Sequence, residues 1–320
     1  MHPLRPNFFI VGAPKCGTTA LYHALRQHPE VFLPHSGNPG SYWLYKEPMF
    51  FSDDLGIEEW IRIGRLEDYL ALFAGAGNAR RVGEASALYL FSRNAPERIR
   101  DFAGDDCRII IMLRPPVDWM RSWHHDCLRY AHESIGDFGK ALAAEPSREQ
   151  GTALPAHFGF KGCLCYRKAA RFSDHVKRYL DVFGRERVHI VLMEDLNREP
   201  ARVLREIAGF LGISTAFSPD IARQNDSSAL CLTHLWEARL SRKLHGSPFL
   251  DRMLDFFPSA PARLYHRAAL RLLPPLSDKK LEPALHRRLI GEFRPEVDKL
   301  ADLLGRDLSH WNEMPMRQLG

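Results

Sequence analysis

No apolar run in this 320-residue sequence approaches the roughly 20 residues that a membrane-spanning helix requires, which argues against a helical span. Cysteine is also sparse. Cys16, Cys107, Cys127, Cys163, Cys165 and Cys231 are too few and too scattered for a disulfide framework in a chain of this length, so reduced thiols are expected. Cys163 and Cys165 lack the two-residue gap of zinc-binding pairs and no second Cys/His pair has matching spacing, so no metal is expected. Neither sign of charge dominates: 44 Lys and Arg face 39 Asp and Glu, a net +5 spread along the chain. That balance is too even for a nucleic-acid-binding surface. Internal repeats and low-complexity stretches are lacking too. Met1-His2-Pro3-Leu4-Arg5-Pro6 runs straight into an apolar segment and leaves no room for a signal peptide. The expectation is a soluble, cytoplasmic protein.

What is present is a core. Hydrophobic residues make up 45% of the chain, and strand and helix signals alternate, the pattern of an α/β fold with a central parallel sheet flanked by helices. One domain over residues 1–320 is expected. Strands are predicted at 8–11, 81–84, 108–113 and 188–193, with a short one near 31–33. Helices are predicted at 18–27, 117–130, 166–183 and 200–211. Ala169, Phe172, Val176, Tyr179 and Phe183 form an apolar stripe at helical spacing, and Leu281, Leu285, Leu289, Phe293, Val297, Leu300 and Leu304 form another. Both read as core packing. Residues 35–45, 131–161 and 214–278 break the rhythm and are expected to be irregular binding loops.

The most informative segment is Phe8-Phe9-Ile10-Val11-Gly12-Ala13-Pro14-Lys15-Cys16-Gly17-Thr18-Thr19-Ala20-Leu21. An apolar strand enters a Gly- and Pro-containing turn, and the threonines open a helix. Unpaired amides and the helix dipole at such a junction favour an anion. Gly12 and Gly17 permit close approach, and Lys15 adds a full positive charge. A magnesium-nucleotide loop would need Gly-Lys-Ser/Thr, which does not occur here, and the dinucleotide fingerprint is also missing. A second segment, Cys107-Arg108-Ile109-Ile110-Ile111-Met112-Leu113, reads as a buried strand ending at Arg114, with Ser122 eight residues later on the following helix.

The Gly-Ala-Pro-Lys-Cys-Gly-Thr-Thr order resembles the 5′-phosphosulfate loop of sulfotransferases that use 3′-phosphoadenosine 5′-phosphosulfate (PAPS). Arg114 and Ser122 are similar to the family's 3′-phosphate pair. Lys46-Glu47-Pro48-Met49-Phe50-Phe51-Ser52 and Gly83-Glu84-Ala85-Ser86-Ala87-Leu88-Tyr89 resemble segments of the branch that contains heparan sulfate sulfotransferases and bacterial relatives, although Ala87 stands where that branch often has proline. Residues 166–211 resemble its helix–strand–helix unit and residues 293–311 its C-terminal helix. Unlike the animal Golgi enzymes, this protein is expected to lack a membrane anchor.

The resemblance implies a PAPS-dependent O-sulfotransferase acting on a carbohydrate or other hydroxylated small molecule, with adenosine 3′,5′-bisphosphate as product and no metal. It implies that Lys15, Cys16, Gly17, Thr18, Thr19 and Ala20 hold the 5′ end of the nucleotide and that Arg114 and Ser122 hold the 3′-phosphate. Lys15 would stabilise the leaving group, Glu47 would be the general base and Lys46 would contact the sulfonate or orient the acceptor. His124, His125 and Glu84 remain alternative bases, and an ordinary solvated Lys46–Glu47 pair remains open. Cys16 lies at a helix N-terminus, where a thiol pKa can fall, though packing is its simpler role. A nucleotide kinase and a non-catalytic adenine-nucleotide-binding module are the other functional readings.

Overall fold

β1 (Phe8–Gly12) is buried along its whole length, as a strand covered on both faces must be. The computed structural model describes residues 5–35, 45–57, 62–129, 132–154, 161–217, 219 and 281–314. Within them β1, β2 (Val31–Phe32), β3 (Arg81–Glu84), β4 (Arg108–Leu113) and β5 (Val188–Leu192) form one parallel sheet in the order β2-β3-β1-β4-β5. β1 therefore lies between β3 and β4, and the carboxyl ends of all three point the same way. Phe8 pairs with Arg108 and Ile10 with Ile110, and the register then shifts before Gly12 opposite Ile111. That shift marks where the chain leaves the sheet.

The helices are α1 (Thr18–Leu25), α2 (Leu66–Ala71), α3 (Ala95–Ala103), α4 (Pro116–Arg129), α5 (Phe138–Ala143), α6 (Glu145–Glu149), α7 (Tyr166–Ala169), α8 (Phe172–Phe183), α9 (Met193–Arg198), α10 (Pro200–Leu211) and α11 (Pro283–Leu304). The single helix expected over 166–183 is two, broken at residues 170–171, yet its apolar stripe is buried throughout. Phe172 and Tyr179 both remain on the core side of the second helix. Strand β5 stops at Leu192 because Met193 already begins α9. The stretch 131–161 is less irregular than expected, since it holds α5 and α6. Asp137 caps α5 through its side chain, which accepts from the Lys140 amide at 2.8 Å. Parts of the three loop regions, residues 36–44, 155–160 and 220–278 among them, lie outside the described residues. No helix among the described residues is long and apolar enough to cross a membrane.

Candidate active site

Gly12 ends β1 where no side chain fits. A Cβ there would lie 2.6 Å from the Leu90 Cβ and 2.7 Å from the Ala87 carbonyl oxygen. Neighbouring elements then clamp the loop. The Ala13 amide donates to the Met112 carbonyl at 2.6 Å, and the Trp119 indole N–H donates to the Pro14 carbonyl at 2.8 Å. Lys15 adopts the left-handed region at φ 63°, which a residue with a side chain keeps only when its surroundings hold it. Its carbonyl accepts from the Arg114 guanidinium at 3.2 Å and its Nζ pairs with Asp126 Oδ1 at 3.0 Å.

Gly17, at φ 87°, is the N-cap of α1, with no side-chain cap and no acidic residue in the first turn. The amides of residues 17–20 consequently have no acceptor among the described residues. They are the orphan donors that every helix start leaves for water or a ligand. Cys16 departs from the expected set. Its amide donates to the Ala13 carbonyl at 3.3 Å, and burial pushes its thiol up to about 12. A thiol so shielded stays protonated, so the helix N-terminus does not activate it and Cys16 serves as packing.

The neighbouring ends of β1 and β4 bring Arg114 to the loop. Ser122, half-buried, lies one turn before Asp126 on α4, and positions four apart share a helix face. Asp126, which holds Lys15, was not anticipated from the sequence; its only signal is that i+4 relation to Ser122.

On the other flank, Lys46 is only 2% exposed and donates to Glu47 Oε1 at 2.6 Å, while Glu47 is half-buried. This is not a solvated surface pair. Residues 46–51 are bolted to the chain that follows β3. The Ala85 amide donates to the Lys46 carbonyl, the Met49 amide to Ser86 Oγ at 3.0 Å, and the Phe51 amide to the Tyr89 hydroxyl at 3.3 Å. Phe51 packs into an aromatic cluster with Phe9, Tyr69, Tyr89 and Phe102, and Phe50 stacks on Tyr69 at 4.4 Å. The carboxylate of Glu47 is thus carried by a rigid segment.

His124 and Glu84 are both shut away from solvent. His124 is buried and donates from Nε2 to the Ile135 carbonyl at 2.8 Å, and burial lowers its pKa. His125 is half-buried on the next position. Glu84 has no exposed surface and accepts from the Tyr69 hydroxyl at 3.2 Å and from Ser86 Oγ at 3.1 Å. Through Ser86 it acts on the Met49 amide, so it positions the Lys46–Glu47 segment. Burial pushes its carboxyl up to about 8, against hydrogen bonds from Tyr89, Ser86 and Tyr69 that favour the charged form.

That shift sets a pH dependence. Between about 4.5 and about 8 the folded protein keeps a proton that the unfolded chain has lost, so raising the pH across this window removes stability. Glu84→Gln cannot titrate. Its thermal midpoint is expected to change less than the wild type's across the same window, as followed by circular dichroism. Equal slopes for the two proteins would show that Glu84 is ionised throughout.

A cavity of about 380 Å³ opens beside Arg114 at the carboxyl ends of β4 and β5, walled by Pro115, Met193, Glu194, His286 and Trp311. The Trp311 indole donates to Glu194 Oε1 at 2.6 Å. Apart from Pro115, these walls come from segments about 80 to 200 residues beyond Arg114, and no local pattern places them beside it.

The family model described as a sulfotransferase domain matches residues 5–230. This chain belongs to the sulfotransferase family. A crystal structure of a sulfotransferase from Alicyclobacillus acidocaldarius is similar to it at 32% identity and a TM-score of 0.69, covering 97% of this chain and 100% of that one. The bifunctional heparan sulfate N-deacetylase/N-sulfotransferase 3 of Homo sapiens is 28% identical over 232 residues, which are 69% of this chain and 24% of the relative. Carbohydrate sulfotransferase 15 of Homo sapiens is 25% identical over 254 residues, 65% of this chain and 44% of the relative. The chain therefore matches less than half the length of either curated relative. In this sulfotransferase the matched residues include the phosphate loop, Lys46, Glu47, Glu84, Arg114 and Ser122, whereas α11 lies beyond them.

Proposed function

We propose that this sulfotransferase transfers the sulfuryl group of PAPS to a hydroxyl of a carbohydrate or similar small molecule. The observation that carries the reading is Arg114 bonded to the Lys15 carbonyl. It sets a second cation beside the orphan amides of residues 17–20, so a nucleotide with phosphates at both ends of its ribose meets complementary groups at each. Lys15, Gly17, Thr18, Thr19 and Ala20 hold the 5′ end, and Arg114 with Ser122 holds the 3′-phosphate beside the 380 Å³ cavity. Transfer forms a bond from the acceptor oxygen to sulfur and breaks the bond from sulfur to the bridging oxygen, whose negative charge passes to the 5′-phosphate. Lys15 stabilises that charge. Glu47 takes the acceptor proton, and Lys46, paired with Glu47, orients it. This scheme calls for no metal.

Two features of the relatives bear on the acceptor. One is named for N-sulfation of heparan sulfate and the other for carbohydrate sulfation, so an amine acceptor is the second reading. A panel of alcohols, phenols and amino sugars with labelled PAPS separates them. A cytoplasmic site of action is supported by the described cysteines, all buried and free.

Arg114→Ala is expected to weaken binding of adenosine 3′,5′-bisphosphate about tenfold or more while leaving AMP binding nearly unchanged, because a charge-assisted phosphate contact is lost. Calorimetry of both nucleotides checks this. Equal losses would remove Arg114 from the 3′-phosphate.

A further inference from the structure

A second cavity, of about 490 Å³, shares no lining residue with the one beside Arg114. Its lining includes Phe91, Cys165, Ala169 and His175, and Phe91 packs on Trp119, the indole that braces the loop after β1, at 5.6 Å. One indole thus separates this pocket from the loop. Its walls are strongly cationic. Arg93, Arg148, Lys168, Arg171 and Arg178 line it against only Glu149 and Asp174.

Most of the compensating charge is already taken. Arg148 is answered from behind by Glu133 at 2.8 Å, Lys168 has Glu149 at 4.0 Å, and Asp174 is held by Lys299 at 2.5 Å. Arg93, Arg171 and Arg178 make no ion pair among the described residues. Arg178 donates to the Ser92 carbonyl at 3.0 Å, and burial, reinforced by Arg93, pulls its guanidinium below the usual value although Asp54 and Asp174 oppose this. Like charges gathered around a concavity favour an anion in it.

His175 points the same way. Neither of its ring nitrogens has a hydrogen-bond partner of good geometry, although both are buried. Burial, and then Arg178, press its pKa down to about 4 against a weak hydrogen bond to the Ala169 backbone and the charge of Asp174, so the ring is neutral near pH 7. A buried ring whose only partner is a poorly aligned backbone carbonyl has hydrogen-bonding capacity left for a ligand.

We propose that this pocket is a second anion site, which binds a sulfate or phosphate group through Arg93, Arg171, Arg178 and His175. Arginines suit this role because their planar donors match two oxygens of an oxyanion. The volume admits a sugar-sized body as well as the charged group. The bound group is either the free oxyanion or an ester on a saccharide.

The test is calorimetry on the full chain with adenosine 3′,5′-bisphosphate present in excess, titrating inorganic sulfate and glucose 6-sulfate separately. Binding of at least one of them is expected, weakened about tenfold or more in Arg93→Ala/Arg171→Ala and unchanged in Lys15→Ala. Tighter binding of glucose 6-sulfate identifies an ester-bearing saccharide, and equal binding identifies the free oxyanion. No binding to the wild type, or equal binding to the double variant, overturns the site. Loss in Lys15→Ala alone would place the anion in the phosphate loop instead. Since Arg93 and Arg171 lie on the exposed rim, unaltered nucleotide affinity in the double variant serves as the folding control. The nucleotide reading is tested separately by Arg114→Ala.

Discussion

Glu47→Gln is expected to bind the nucleotide normally and to sulfate an aliphatic alcohol about 10²–10⁴-fold more slowly, the usual worth of a positioned general base. The substitution keeps the side chain's size and its place beside Lys46 but removes its basicity. Phe50 and Phe51 hold the segment in the aromatic cluster in either case, so little structural change is expected. An acidic phenol, already partly ionised near neutral pH, needs less help from a base and should lose less activity than the alcohol. Initial rates with both acceptors, at saturating nucleotide, check this. If the variant keeps more than about a tenth of its turnover on the alcohol, the base is another group and His125 is the next to test.

Arg148→Met is expected to destabilise the protein by about 3–5 kcal/mol, because it leaves a buried carboxylate without its cation. Arg148 and Glu133 are both fully enclosed, 2.8 Å apart. Glu133 also accepts from the Ser134 amide, the Ile135 amide and the Tyr166 hydroxyl at 2.6 Å. These donors and Arg148 outweigh burial and hold the Glu133 carboxyl below its usual range. Its contribution is therefore present above the ordinary carboxylate value and is lost as pH falls through the lowered one. Replacing both partners, Arg148→Met with Glu133→Gln, should recover part of the loss, since no unpaired charge remains. Urea denaturation at unchanged m-value measures both variants. A single variant within about 1 kcal/mol of wild type would show that the pair is not holding the 133–135 turn.

That turn bears on the site because its Ile135 carbonyl fixes His124. The sequence offered His124 and His125 equally as bases, and only packing separates them: one ring faces the core and the other remains half-buried. The same holds for Glu84. A glutamate at a strand end reads as an active-site acid or base, yet its proton is decided by how completely surrounding residues exclude water, and Tyr69 and Tyr89 are not adjacent to it in sequence.

By itself the sequence determined the parts governed by local geometry. Apolar, β-branched runs specify β1 and β4, Gly12 and Gly17 specify the turn between strand and helix, and Pro115 with Pro116 stops β4 at Arg114. Each follows from backbone sterics and side-chain alternation over a few residues. The orphan amides at the start of α1 were legible for the same reason, since they depend on the helix start alone. Tertiary structure alone decided the rest. Parallel pairing of β1 with β4 brings Arg114 to Lys15, α4 supplies Asp126 to the Lys15 ammonium, and burial of Lys46 turns an ordinary charged pair into a fixed one. Chain folding likewise gathers Arg93, Arg171, Arg178 and His175 around one cavity. These features depend on desolvation and on partners up to about a hundred residues away, and neither is encoded in local periodicity.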